Sequence, residues 1–124
     1  MPVDQTTIRS GGGAEGGSRL PRDRRAVLVV IEGPDLGVER EVTRVPFTIG
    51  RQGADLTVND PSVSRLHAAV VVEGSRFLLR DQKSTNGTFV DGGRIEEATL
   101  VHGAKFRLGD TTFQFVLEPR KGGR

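Results

Sequence analysis

The sequence predicts an all-β domain. Short runs rich in Val, Ile, Phe, Thr and Leu recur along the chain, and clusters of Gly, Pro, Asn and Asp separate them at close spacing. No stretch carries the three-to-four-residue apolar repeat of an amphipathic helix, so any helix should be a single turn. Together these features mark a β-sandwich or barrel.

Taken in order, residues 1–25 are polar, hold Gly11, Gly12, Gly13, Gly16 and Gly17, and show no apolar periodicity. Such a segment cannot offset the entropy of ordering and is expected to be a disordered tail, its Arg19, Arg22, Arg24 and Arg25 solvated rather than forming a nucleic-acid arm. The domain is expected over residues 26–118, with strands at 26–32, 38–43, 46–50, 56–58, 67–73, 76–81, 88–90, 104–108 and 111–117. Gly33-Pro34-Asp35, Glu73-Gly74-Ser75, Asp91-Gly92-Gly93 and Gly109-Asp110 supply turn residues that reach positive φ or start a tight turn. In the last strand Thr111, Phe113, Phe115 and Leu117 share one face by period-two alternation, and Val116 indicates partial cover on the other. Residues 119–124 are expected to be a short tail or linker. No internal repeat is present.

The chain has 124 residues, enough for one domain with a real core. It has no cysteine, which removes disulfides, thiolate nucleophiles and zinc-thiolate sites, and it lacks both a membrane-length apolar run and a signal-peptide pattern. A cytoplasmic protein is expected. Eighteen basic against 16 acidic residues leave a net charge of +2, weak support for nucleic-acid binding. A basic nucleic-acid-binding β-domain would also need exposed aromatics for base stacking, yet Trp and Tyr are absent and the six Phe mostly sit in strand patterns. No Walker loop, EF-hand loop or dinucleotide fingerprint occurs, so neither a nucleotide cofactor nor a metal is expected.

Three loop segments combine residue types that plain turns do not require: Gly50-Arg51, Ser64-Arg65-Leu66-His67 and Ser84-Thr85-Asn86-Gly87-Thr88. They offer a guanidinium fork, hydroxyls, an amide and loop N–H groups, the inventory that phosphate recognition uses.

In this order and spacing the segments resemble the forkhead-associated (FHA) family across nearly all of residues 27–117. The matching runs are Phe47-Thr48-Ile49-Gly50-Arg51, Asp60-Pro61-Ser62-Val63-Ser64-Arg65-Leu66-His67, and Asp81-Gln82-Lys83-Ser84-Thr85-Asn86-Gly87-Thr88-Phe89-Val90. Asp55-Leu56-Thr57-Val58 matches the family's short strand, and Leu100, Gly103 and Leu108-Gly109 resemble its closing hairpin. Asp91 stands where Asn is usual and His102 where an acidic residue is usual, both outside the expected phosphate pocket. The resemblance implies an 11-stranded sandwich of two twisted, mainly antiparallel sheets that binds phosphothreonine peptides through loops at one end and catalyses nothing. By motif position, Arg51 and Ser64 contact phosphate, helped by the Arg65 N–H and the Thr85 hydroxyl, and Asn86 holds the peptide main chain. Gly50 and Gly87 serve backbone geometry.

His67 invites a second reading, since Ser64, His67 and either Asp60 or Asp81 could be drawn as nucleophile, base and orienter. No Gly-x-Ser-x-Gly elbow supports it, and in the resembling family this His is structural, bonding within the loop that presents the phosphate-binding Ser. The expected partner is a phosphothreonine protein in bacterial signalling, as for FHA modules that serve Ser/Thr kinases or are fused to regulators such as sigma-54-dependent activators. Asp4-Gln5-Thr6-Thr7-Ile8 adds a candidate in the chain itself: phosphorylated Thr6 or Thr7 folding back into the pocket.

Overall fold

The computed structural model describes residues 19–120, and Thr6 and Thr7 lie outside them. Eleven strands follow one another: β1 (Arg24–Glu32), β2 (Glu39–Glu41), β3 (Phe47–Gly50), β4 (Leu56–Thr57), β5 (Ala68–Glu73), β6 (Arg76–Asp81), β7 (Thr88–Val90), β8 (Gly93–Ile95), β9 (Glu97–Leu100), β10 (Lys105–Leu108) and β11 (Thr111–Pro119). They form a six-stranded sheet in the order β2-β1-β11-β10-β7-β8 and a five-stranded sheet in the order β4-β3-β5-β6-β9. All pairings are antiparallel except β3 with β4. No helix occurs among the described residues.

Long β1 and β11 pair from Arg24↔Pro119 to Glu32↔Thr112 and form the spine of the larger sheet. The expected alternation in β11 is met at Thr111, Phe113 and Phe115, each fully buried, while Thr112, Gln114 and Val116 are half-buried. Phe115 tilts against Phe77 of the facing sheet with ring centroids 5.2 Å apart, and Phe106 stacks on Phe113 at 5.0 Å. With Leu28, Ile49, Leu56, Leu79 and Leu108 they form one apolar core between the sheets.

The observed strands depart from the sequence expectation in two places. Arg24 and Arg25 are not solvated tail residues, because pairing with Pro119 and Glu118 extends the β1–β11 ladder and Arg25 lies 3.1 Å from the Glu118 carboxylate. Leu20 also packs against the core, so the described fold begins before residue 26. Second, β8 and β9 fall where no strand was expected. They are edge strands with mostly exposed residues, so no alternation of apolar residues announces them. Asp91 (φ 52°) and Gly92 (φ 81°) make the tight turn that folds β8 back on β7.

Candidate functional site

The β3–β4, β4–β5 and β6–β7 loops meet at one end of the sandwich, and a carboxylate within each of the first two and at the start of the third fixes the loop's shape. In the first, Asp55 Oδ2 accepts the Thr48 N–H at 2.9 Å and the Thr48 hydroxyl at 3.0 Å, while Arg44 donates to Oδ1 through Nε at 3.1 Å. The Thr48 N–H, opposed by burial and aided by Arg44, holds this carboxyl below its usual range. In the second, Asp60 is buried and accepts the Ser62 N–H (2.9 Å) and hydroxyl (2.6 Å), the Asp110 N–H (2.8 Å) and the Thr111 hydroxyl (2.8 Å). In the third, Asp81 accepts the Ser84 hydroxyl at 2.5 Å, the Ser84 N–H at 3.1 Å and the Thr88 hydroxyl at 2.7 Å. Burial pushes both Asp60 and Asp81 upward, and these hydrogen bonds outweigh it, leaving each below the ordinary carboxylate range.

Side chains then lock the loops to one another. The Arg51 backbone N–H donates to the Ser64 carbonyl at 3.0 Å, and Arg51 Nε donates to the Val63 carbonyl at 2.8 Å. Gly50 makes this approach possible: a Cβ there would lie 1.8 Å from the Arg65 carbonyl oxygen. Ser64 Oγ accepts the Thr85 N–H at 3.0 Å, and Asn86 Nδ2 donates to the Ser62 carbonyl at 2.9 Å.

His67 sits beneath this junction, fully buried. Its Nδ1 accepts the Ser64 N–H at 3.0 Å and its Nε2 lies 2.8 Å from the Gly87 carbonyl. The first contact requires an unprotonated Nδ1 and the second a proton on Nε2, which fixes one neutral tautomer. Both ring nitrogens are thereby spent on backbone, and the Ser64 hydroxyl is directed to the β6–β7 loop instead. Asp60 and Asp81 bond Ser62, Thr111, Ser84 and Thr88 rather than the imidazole. The nucleophile–base–orienter arrangement drawn from the sequence is therefore not assembled.

Of the sequence-predicted site residues, Arg51, Ser64, Thr85 and Asn86 are brought to one mouth. Arg65 is exposed beside it, and Gly50, His67 and Gly87 (φ 93°) lie in the supporting layer. Among the described residues no partner is seen for the Arg51 Nη groups, the Arg65 N–H or the Thr85 hydroxyl. Ser64 Oγ uses a lone pair and keeps its proton. Asn86 uses one amide proton and keeps its oxygen. The mouth thus presents one cation fork, two hydroxyls and a backbone N–H, held in place before any ligand arrives, a set suited to a tetrahedral dianion. Asp55, Asp60 and Asp81 had no such role in the sequence reading. Each is followed within three residues, or preceded at seven, by the Ser or Thr it binds, a weak signal seen only with the fold in hand.

A family model described as the FHA domain matches residues 47–109. The glycogen accumulation regulator GarA of Mycobacterium tuberculosis is 31% identical over 122 residues, spanning 98% of this chain and 73% of GarA. A solved structure of M. tuberculosis EmbR in complex with a low-affinity phosphopeptide superposes with a TM-score of 0.70 at 29% identity, covering 78% of this chain and 25% of EmbR. A second, from a structural and functional study of phosphothreonine-dependent FHA domain interactions, gives 0.70 at 29% identity and covers 77% of this chain and 99% of that one.

Proposed function

The chain belongs to the FHA domain family, and from that membership we infer that it is a phosphothreonine-dependent protein interaction module in signalling. The observation that carries the residue-level reading is the joined mouth of Arg51, Ser64, Thr85 and Asn86. In it the Arg51 guanidinium pairs with the phosphate, and the Ser64 and Thr85 hydroxyls and the Arg65 N–H take further oxygens. The Asn86 side chain, already tied to Ser62 by one N–H, uses its remaining groups on the main chain of an extended peptide, which brings unpaired N–H and C=O groups of its own. Gly50, His67 and Gly87 act by positioning. The module therefore includes Leu20 and all of β1 through β11, performs no catalysis and needs no cofactor, and its setting is cytoplasmic.

Titration with a phosphothreonine peptide library, the unphosphorylated peptides and a DNA duplex tests this. Saturable binding of phosphopeptides alone is expected. Equal binding of the unphosphorylated set, or preference for the duplex, would overturn it.

A finer reading of the partner is the chain's own Thr6 or Thr7. β1 starts opposite the end of β11, at the far end from the mouth, and nine residues of strand span about 30 Å. Leu20 is packed on the core, so the tether is the 13 residues from Thr7 to Leu20, which reach at most about 45 Å, still enough for a phosphorylated Thr7 to return to the mouth in cis. A tethered phosphate would compete with outside ligands through its effective concentration. Singly phosphorylated protein should then bind added phosphopeptide more weakly and show shifted Ser64, Thr85 and Asn86 resonances, both changes vanishing with Arg51→Ala. Unshifted resonances and unchanged affinity would exclude self-recognition.

A further inference from the structure

Beside the mouth, on the side of the β6–β7 loop, residues 80–84 and 94–97 enclose a groove of about 860 Å³. Three of its charged residues are already engaged. Arg80 bonds Glu73 at 2.7 Å and Glu97 at 3.1 Å, and Asp81 is saturated by Ser84 and Thr88. Lys83, Arg94 and Glu96 remain, each exposed and without an ion pair among the described residues. The groove therefore offers two uncommitted cations against one uncommitted carboxylate.

Both cations are placed by the backbone. Lys83 has φ 56°, a left-handed conformation uncommon for a residue with a side chain, in the turn that leads to Ser84 and Thr85. Arg94 lies opposite Phe89 in the β7–β8 ladder, and its side chain reaches back to Gly87, where an added Cβ would sit 2.8 Å from Arg94 Nε. It thus borders the residue that follows Asn86. Arg51 enters the mouth from the β3–β4 loop, whereas Lys83 and Arg94 stand on its β6–β7 side.

We propose that Lys83 and Arg94 form a second anionic subsite that selects phosphopeptides carrying an Asp or Glu a few residues from the phosphothreonine. The proposal rests on the phosphothreonine reading above and deepens it. An extended peptide held by Asn86 passes Gly87 and the groove rim, so a carboxylate on it exchanges water for two cations that lack a competing partner. Glu96, which also lines the groove, disfavours a negative charge placed beside it.

The test is a panel of phosphothreonine peptides in which Asp replaces Ala at one flanking position at a time, titrated into the full chain. One or two adjacent positions should tighten binding by roughly two- to fivefold, the range open to exposed ion pairs, and the gain should shrink in high salt. Lys83→Asn with Arg94→Gln should level the panel, and Arg94→Glu should turn the preference toward Lys. A panel with no gain at any position, or a gain that survives the double substitution, overturns the subsite while leaving the phosphate reading intact. Loss of all phosphate-dependent binding in the unaltered chain overturns both.

Discussion

The two halves of this molecule are held together by different forces. Between the sheets, Phe113, Phe115, Phe106 and Leu28 lie fully buried in an apolar core. At the mouth, β3 and β4 run out after four residues or fewer, and the loops that follow them and β6 are fixed by hydrogen bonds among Asp55, Asp60, His67, Asp81 and the backbone. The core is non-directional and tolerates small adjustments. The loop network is directional, and each bond places a particular group. Stability and ligand geometry should therefore respond to different substitutions.

The largest effect is expected in the core. Phe113→Ala removes a ring stacked on Phe106 and should cost about 3–5 kcal/mol in urea denaturation. Arg51→Ala is the opposite case. It should leave the melting temperature nearly unchanged, because only the Nε bond to Val63 is lost from an exposed side chain, while reducing phosphopeptide affinity by about 2–5 kcal/mol in calorimetry. Normal affinity in the folded variant would remove Arg51 from the site.

His67 tests whether the halves are separable at all, since it is buried like the core yet bonds only loop backbone. His67→Ala should destabilise by about 1–3 kcal/mol, from a stranded Ser64 N–H and Gly87 carbonyl, and weaken binding in parallel. Lost binding at an unchanged melting temperature would instead put His67 in contact with ligand.

Acid should separate the two properties along the pH axis. Asp55, Asp60 and Asp81 have folded pKa values below their ordinary 3.8, so their contribution to stability is complete above that value and is lost as pH falls through the lower folded values. Binding should weaken earlier, near pH 6, where the phosphate dianion takes up a proton. Melting temperature and affinity measured together from pH 7.5 to 3 should show two distinct declines. The smallest effect concerns the ligand: the extra methyl of phosphothreonine over phosphoserine is worth about 0.8 kcal/mol by burial alone, and a larger measured gap would mean that the pocket also selects the β-branched rotamer.

The same division decides what could be read from the sequence. Strands facing the core were legible, because burial on one side writes an alternation such as Thr111, Phe113, Phe115. Strands β8 and β9 were not, because edge pairing is supplied by neighbours and leaves only Ile95 and Ala98 half-buried and Leu100 buried. In the mouth, Arg51, Ser64, Thr85 and Asn86 stood out since loops seldom need that chemistry, and family resemblance supplied their order. Asp60 was legible only as part of the matching motif and through its near neighbour Ser62. Its other partners, Asp110 and Thr111, lie 50 and 51 residues away, and only the folded chain makes them neighbours.

The pairing of the first and last strands has an architectural consequence. Arg24 and Pro119 face each other across the ladder, at the pole of the sandwich away from the three loops. Polypeptide can therefore enter and leave through adjacent points without crossing the ligand face. A domain with that layout can be spliced into a longer chain like a bead on a string, its recognition surface turned outward whatever is joined on either side.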